Sequence, residues 1–263
     1  MGRGCDISAV ALFATTVALA GPAFAAPPVP PHPAQYTIGL EPSYFAGRFG
    51  TSHYIRIFDV PLTMAYRHGP LRVRVEVPYL AISGAGVIAG NAVVIGSPNA
   101  GVRSGVGDLW LKLEYRLNHA DRAVPSVEPY VKVKFPLASY QKGLGTGRFD
   151  EEAGLRLTWR VNRDIFPYVQ LGYRVVGRLP GLNLFNVFTF EPGITAAATP
   201  SQYVSALIIG HTAIQRGRTA TAAAVLAYNL RMNFRWELQA YASAGLTAQT
   251  AAFGFGVGVM AHF

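Results

Sequence analysis

One cysteine stands in the whole chain, Cys5, and it lies among the first residues. A small secreted domain stapled by disulfides is therefore excluded, and so is thiol chemistry in any mature form that has lost its leader. Charge is scarce too. Charged residues make up 14 % of the sequence, against about 25 % in an average soluble domain. Beyond residue 25 no uninterrupted apolar run reaches the roughly 20 residues that a membrane-spanning helix needs. Motifs of catalysis are missing as well. There is no Gly-x-Ser-x-Gly elbow, no Walker lysine loop and no His-Glu-x-x-His helix. The six histidines, His32, His53, His68, His119, His211 and His262, never fall at metal-ligand spacing. The sequence thus gives no catalytic residue, cofactor or metal site, and the expectation is a protein that is not an enzyme.

Glycine, aromatics and alternation are what the sequence does have. Residues 1–25 carry the marks of an export signal: Arg3, an apolar run from Ala9 to Ala20, and Ala23-Phe24-Ala25 as a small-x-small cleavage pattern. Residues 26–34 are proline-rich and predict an extended, periplasmic lead. The formal net charge is +9, which would raise nucleic acid as a partner. Export and the absence of any basic run argue against it.

From residue 35 to 263 the pattern is period two, the mark of extended strands with two unlike faces. Leu71, Val73, Val75, Val77 and Tyr79 alternate with Arg72, Arg74 and Glu76. Leu109, Leu111, Leu113 and Tyr115 alternate with Trp110, Lys112, Glu114 and Arg116. Val131, Val133 and Phe135 alternate with Glu128, Tyr130, Lys132 and Lys134. Weaker segments bring the count to about twelve. A chain that is hydrophobic overall, exported and without spanning helices satisfies its backbone in lipid only as a closed barrel. The predicted fold is an all-β, antiparallel, up-and-down transmembrane β-barrel with both ends periplasmic. Its place is the bacterial outer membrane, among lipid and lipopolysaccharide. The main alternative, a soluble sandwich, would need a second sheet over the apolar faces.

The segment Phe253 to Phe263 sets Phe253, Phe255, Val257 and Val259 against Gly254, Gly256 and Gly258. It resembles the closing strand of bacterial outer-membrane barrels, which typically end in Phe. Short turns are predicted at Arg67–Pro70, Asn118–Val124, Asn162–Asp164, Ala198–Ser201 and Arg231–Asn233. The longest loop, Ser83–Ser104, is of low polarity and is expected to fold into the barrel mouth as a constriction.

Taking each strand's polar side as the lumen gives candidate lining residues: Arg72, Arg74, Glu76, Lys112, Glu114, Arg116, Lys132, Lys134, Arg156, Arg160, Arg174, Arg235 and Glu237. Glu128 and Glu191 join them, and Trp110, Tyr130 and Tyr168 share that face. On this assignment bases outnumber acids about two to one, which favours anions in a pore. Cross-strand pairs of Glu76 with Arg72 or Arg74, and of Glu114 with Arg116, are expected to take up part of that charge. Tyr54, Tyr66, Tyr79, Tyr115 and Trp159 suit an interface girdle, and Arg103 and Arg148 suit lipopolysaccharide phosphates.

Gly105-Val106-Gly107-Asp108-Leu109, Lys134-Phe135-Pro136, Gly145-Thr146-Gly147 and Gly172-Tyr173 resemble motifs of the outer-membrane, transporter-like barrel family linked to the meta-cleavage pathway of phenol degradation. Leu137-Ala138 replaces the Thr-Gly that family shows after the proline. The resemblance implies passage of small, aromatic compounds. The residues themselves favour an outer-membrane channel for small organic solutes, aromatic or anionic. Two other readings stand beside it: a structural or adhesive barrel with a sealed lumen, and a lipid-modifying enzyme built on Ser52 and His53.

Overall fold

The computed structural model describes residues 9–11, 35–84, 87–89, 92–94, 101–120, 123–178 and 183–263. Most of the leader, the whole proline-rich lead 26–34 and much of the Ser83–Ser104 loop lie outside the described residues. Twelve strands close into one antiparallel barrel. They are β1, in two segments Gln35–Leu40 and Ser43–Gly47; β2, Ile55–His68; β3, Leu71–Ser83; β4, in two segments Val102–Val106 and Leu109–Tyr115; β5, Ser126–Phe135; and β6, Asp150–Thr158. The remainder are β7, Ile165–Val175; β8, Val187–Thr199; β9, Gln202–His211; β10, Thr221–Arg231; β11, Trp236–Gly245; and β12, Phe253–His262. Each strand pairs with the next, and β12 pairs with both segments of β1, so no edge is left. Apart from the barrel, Ala9–Ala11, Val87–Ala89 and Ala92–Val94 form a small sheet.

The register keeps one face of every strand turned inward. Thr63 lies across from Glu76, Glu76 from Trp110, Trp110 from Lys134, and Lys134 from Asp150. The opposite face is apolar all round. Phe58, Leu62, Met64, Val131, Leu155, Leu171, Ile194, Ile208, Leu226, Phe255 and Val257 are exposed there. Exposure of so much contiguous apolar surface is costly in water, at roughly 25 cal/mol per Å², and is what a hydrocarbon environment requires. This inversion, apolar outside and charged inside, distinguishes the barrel from a soluble sandwich. Aromatics gather toward the strand ends. Tyr36 and Tyr66 meet with their ring centroids 5.2 Å apart, and Tyr173 and Phe188 meet at 4.9 Å.

Connections alternate strictly in length. One end carries tight turns, such as Gly69-Pro70 and Pro200-Ser201, and the other carries the longer loops. Gln35 and Phe263 lie at the short-turn end, where Phe263 and Tyr36 exchange backbone hydrogen bonds of 2.9 and 3.2 Å.

Inward glycines make room for inward aromatics. Tyr130 lies over Gly154 and Gly172, Tyr168 over Gly193, Phe45 over Gly254 and Tyr241 over Gly256; a side chain at any of these glycines would collide with the ring or hydroxyl above it. The glycines of β12 are thus packing partners in a strand and no part of a dinucleotide loop. One glycine serves a different end. At Gly107-Asp108 strand β4 holds one residue more than its partner β3, since Tyr79 pairs with Val106 but Glu76 with Trp110. This bulge shifts the inward parity from Arg103 to Trp110 and turns Asp108 into the lumen. Gly107 donates its N–H to Pro78 at 2.8 Å and has no room for a side chain against that ring.

Candidate functional site

The lumen wall has two unlike arcs. Strands β3 to β8 carry a lattice of charges and aromatics. Glu114 takes Lys112 at 2.7 Å and Arg72 at 3.8 Å, and Arg116 pairs with Glu128 at 2.7 Å. Arg156 pairs with Glu191 at 3.0 Å and Arg174 with Glu152 at 2.7 Å. Lys112 also donates to Gln170 at 3.1 Å, three strands away. Rings fill the spaces: Lys132 lies 4.3 Å and Arg174 5.3 Å from the Trp110 centroid, Lys112 4.6 Å from that of Tyr130, and Arg156 4.9 Å from that of Tyr168. Such charge-assisted pairs gain strength where water is scarce. Strands β9 to β12 contribute Leu207, Val225, Ala227, Tyr241 and glycines, together with Ser205, Asn229 and Gln239.

The pairs that form are only partly those expected. Arg116 goes to Glu128 and leaves Glu114 to Lys112 and Arg72; Glu76 forms no ion pair with Arg72 or Arg74. Arg160 and Arg235 lie outside the strands, in short turns, with Arg235 exposed and set against the Phe234 ring at 5.2 Å. Among the described residues the inward charges are much closer to balance than the expected two to one. The inward acids are Glu41, Asp59, Glu76, Asp108, Glu114, Glu128, Asp150, Glu152, Glu191 and Glu237. They are nearly matched by the eleven inward bases Arg67, Arg72, Arg74, Arg103, Lys112, Arg116, Lys132, Lys134, Arg156, Arg174 and Arg231, the last paired with Glu237 at 4.0 Å. Sequence reasoning missed Glu41, Asp59, Asp108, Asp150 and Glu152 as lining groups. Glu41, Asp108, Asp150 and Glu152 lie where their strands begin or break, and Asp59 lies in β2, where apolar residues occupy both faces, so period two gives no inward parity there.

At the long-loop end a second cluster closes the wall. Lys134 has no exposed surface and stands between Asp150 at 2.9 Å and Asp108 at 3.5 Å. Its ammonium also donates to the Thr146 hydroxyl at 3.0 Å, and Asp108 accepts the Ala138 N–H at 3.0 Å. Thr146 and Ala138 belong to the loop between β5 and β6, so this cluster pins that loop inward and buries Leu144 against the barrel's apolar cluster. Gly145 packs so closely on Asp108 and Ala138 that a side chain there would strike both. Three of the short motifs singled out in the sequence, around Asp108, Lys134 and Thr146, therefore meet at one place. Asp108 acts there as an ion-pair partner and backbone acceptor for a distant loop.

Arg103 donates to the Gly84 carbonyl at 2.8 Å and the Lys142 carbonyl at 3.1 Å, tying the same loop to the next one. Ser52 and His53 are exposed neighbours joined at 2.9 Å, and among the described residues no ion pair brings a carboxylate to His53. No cluster of three or more metal-ligating side chains is found among the described residues.

No family model matches the chain, and no curated protein matches it in sequence. Solved structures do match its fold. An outer-membrane channel of Pseudomonas putida F1 superposes with a TM-score of 0.68 at 14 % identity, covering 89 % of this chain and 97 % of that one. The KdgM porin gives 0.55 at 12 % identity, covering 86 % and 99 %, and the NanC porin 0.54 at 8 %, covering 84 % and 98 %. The fold is that of a twelve-stranded bacterial outer-membrane barrel.

Proposed function

We propose that the chain is an outer-membrane channel through which small organic solutes diffuse passively. The observation that carries this reading is the inverted barrel: a closed wall, apolar toward lipid, whose interior is charged and aromatic along its length. The structural neighbours are themselves named as a channel and porins, one of them solved in complex with disordered oligogalacturonate. Residues 1–25 serve as the export signal and 26–34 as a periplasmic lead, with the short turns facing the periplasm and the long loops the exterior, where exposed Arg148 meets lipopolysaccharide phosphate. Kinship with the phenol-degradation barrels rests on the three motifs that meet at Lys134, and Trp110, Tyr130 and Tyr168 supply the aromatic contact such cargo would use. No residue acts as a catalyst. The dense ion pairing of β3 to β8 is also what a sealed, structural barrel would show, and this is the competing reading.

Planar-bilayer recording and liposome swelling on the purified barrel separate the two. Discrete current steps, and swelling that falls with solute size, are expected. A barrel that inserts yet passes neither ions nor small solutes would establish the sealed reading.

A further inference from the structure

Beside the paired lattice lies a group of polar atoms that nothing in the protein satisfies. Glu41 on β1 and Asp59 and Thr63 on β2 are almost wholly buried, and Glu41 Oε2, Asp59 Oδ1 and Thr63 Oγ1 have no hydrogen-bond partner. Arg74 on β3 likewise has an unpartnered Nη1. Buried polar atoms of this kind are costly and uncommon, so each calls for a role. Glu41 links them, close enough to act electrostatically on both Asp59 and Arg74, although register sets Asp59 across from Leu80 and Arg74 across from Ala65, six positions apart along β2. Gly39, Thr63 and Glu76 stand side by side across β1, β2 and β3; Glu41 is two residues beyond Gly39, and Arg74 is two residues before Glu76 on the same inward face. Glu41 leans across Gly258 of β12, whose missing side chain leaves space for it. Arg74, Glu76 and Glu237 lie close enough to Glu41 to act on it electrostatically.

The lumen is more open on the Arg74 side. Arg74, Glu76, Lys112 and Lys132 are each half-buried, and register sets Arg74, Lys112 and Lys132 next to one another on successive strands. Three cations abreast repel one another. Lys112 is relieved by Glu114, whereas Lys132 lies on the face of Trp110 and across from Glu152. One side of the place thus offers free acceptors on acids, and the other offers free donors on bases. A simple anion is repelled by Glu41 and Asp59, and a simple cation by Arg74. No three metal-ligating side chains converge among the described residues.

We propose that this juxtaposition is a binding step for zwitterions of the amino-acid type. The ammonium enters the recess formed by Glu41, Asp59 and Thr63, and the carboxylate rests on Arg74 and Lys132. This rests on the channel reading and gives it a substrate class. Opposed charge on two walls concentrates a dipolar solute as a one-signed wall concentrates an ion.

L-Alanine and lactamide are isomers of equal size, the first zwitterionic and the second neutral. The test is the swelling rate of proteoliposomes in each, after subtraction of the rate in protein-free liposomes. The native barrel is expected to admit alanine at least about fivefold faster than lactamide. In Glu41→Gln/Asp59→Asn and in Arg74→Met, compared as barrels shown to be folded by circular dichroism, the ratio should fall toward one. Equal rates in the native barrel, or a ratio unchanged in both variants, would overturn the zwitterion step while leaving the channel standing. A barrel that admits neither solute would remove the channel and this inference with it.

Discussion

At Lys134 one ammonium holds together two carboxylates, a threonine hydroxyl and, through Asp108, the backbone of a loop. Lys134→Met would leave Asp108 and Asp150 facing each other without their cation, and loss of one partner of a buried pair costs about 3–5 kcal/mol. Denaturant unfolding in detergent micelles should show a loss of that order, with part of it recovered in Lys134→Met/Asp150→Asn. A loss under about 1 kcal/mol, the size of a surface pair, would mean that the cluster is not the latch described. The glycines make a second residue-scale case. Gly172→Ala pushes a methyl group into the Tyr130 hydroxyl and should destabilise the barrel by about 1–3 kcal/mol, as overpacking does. In a Tyr130→Phe background the same substitution should cost less; an equal cost would place the strain elsewhere. Such detail was only partly legible in the sequence. The charges of β3, β4 and β5 announce their inward face because each alternates with Leu or Val. Asp59 and Thr63 do not, because Ile55, Ile57, Phe58 and Leu62 put apolar residues on both sides of β2.

Among the elements, the loops depart furthest from expectation. Low polarity singles out Ser83–Ser104 as the constriction, but part of that segment lies outside the described residues. The loop that demonstrably folds inward is the one between β5 and β6, with Leu144 and Thr146 buried. Its glycines and single lysine look like those of any surface loop. What draws it in is a salt bridge from strand to strand, which no local pattern reveals. Replacing residues 139–147 by a short Gly-Ser turn should raise single-channel conductance several-fold if this loop narrows the mouth. Unchanged conductance would place the narrowest point deeper, among the charges of β3 to β8. The alanine-rich strands β9 and β10 were weakly patterned for a related reason. On that arc Ala223 and Ala227 face inward while Ala222 and Ala224 lie on the other face, so size rather than polarity separates the two sides, and a hydropathy pattern cannot see it.

For the whole molecule, the architecture was legible because it follows from an overall balance: too few charges for a soluble domain, no spanning helix, and alternation sustained over some two hundred residues. Twelve strands, closure between β12 and β1, and alternation of short turns with long loops all follow from those constraints. The lumen's charge did not follow, because strand ends, bulges and apolar neighbours hide which acids face inward; the expected two-to-one surplus of bases became a near balance, concentrated on one arc of the wall. Everything in this account depends on which face of each strand meets lipid. Cys5 is the chain's one cysteine, so in a Cys5→Ser background single cysteines can be placed at will, at Val131 and Lys132 on β5 and at Gln170 and Leu171 on β7. In liposomes, a water-soluble thiol reagent should label the Lys132→Cys and Gln170→Cys barrels, while a fluorophore at Val131→Cys or Leu171→Cys should be quenched by brominated lipid. Lipid quenching at 132 and 170, or free aqueous labelling at 131 and 171, would contradict the inverted barrel.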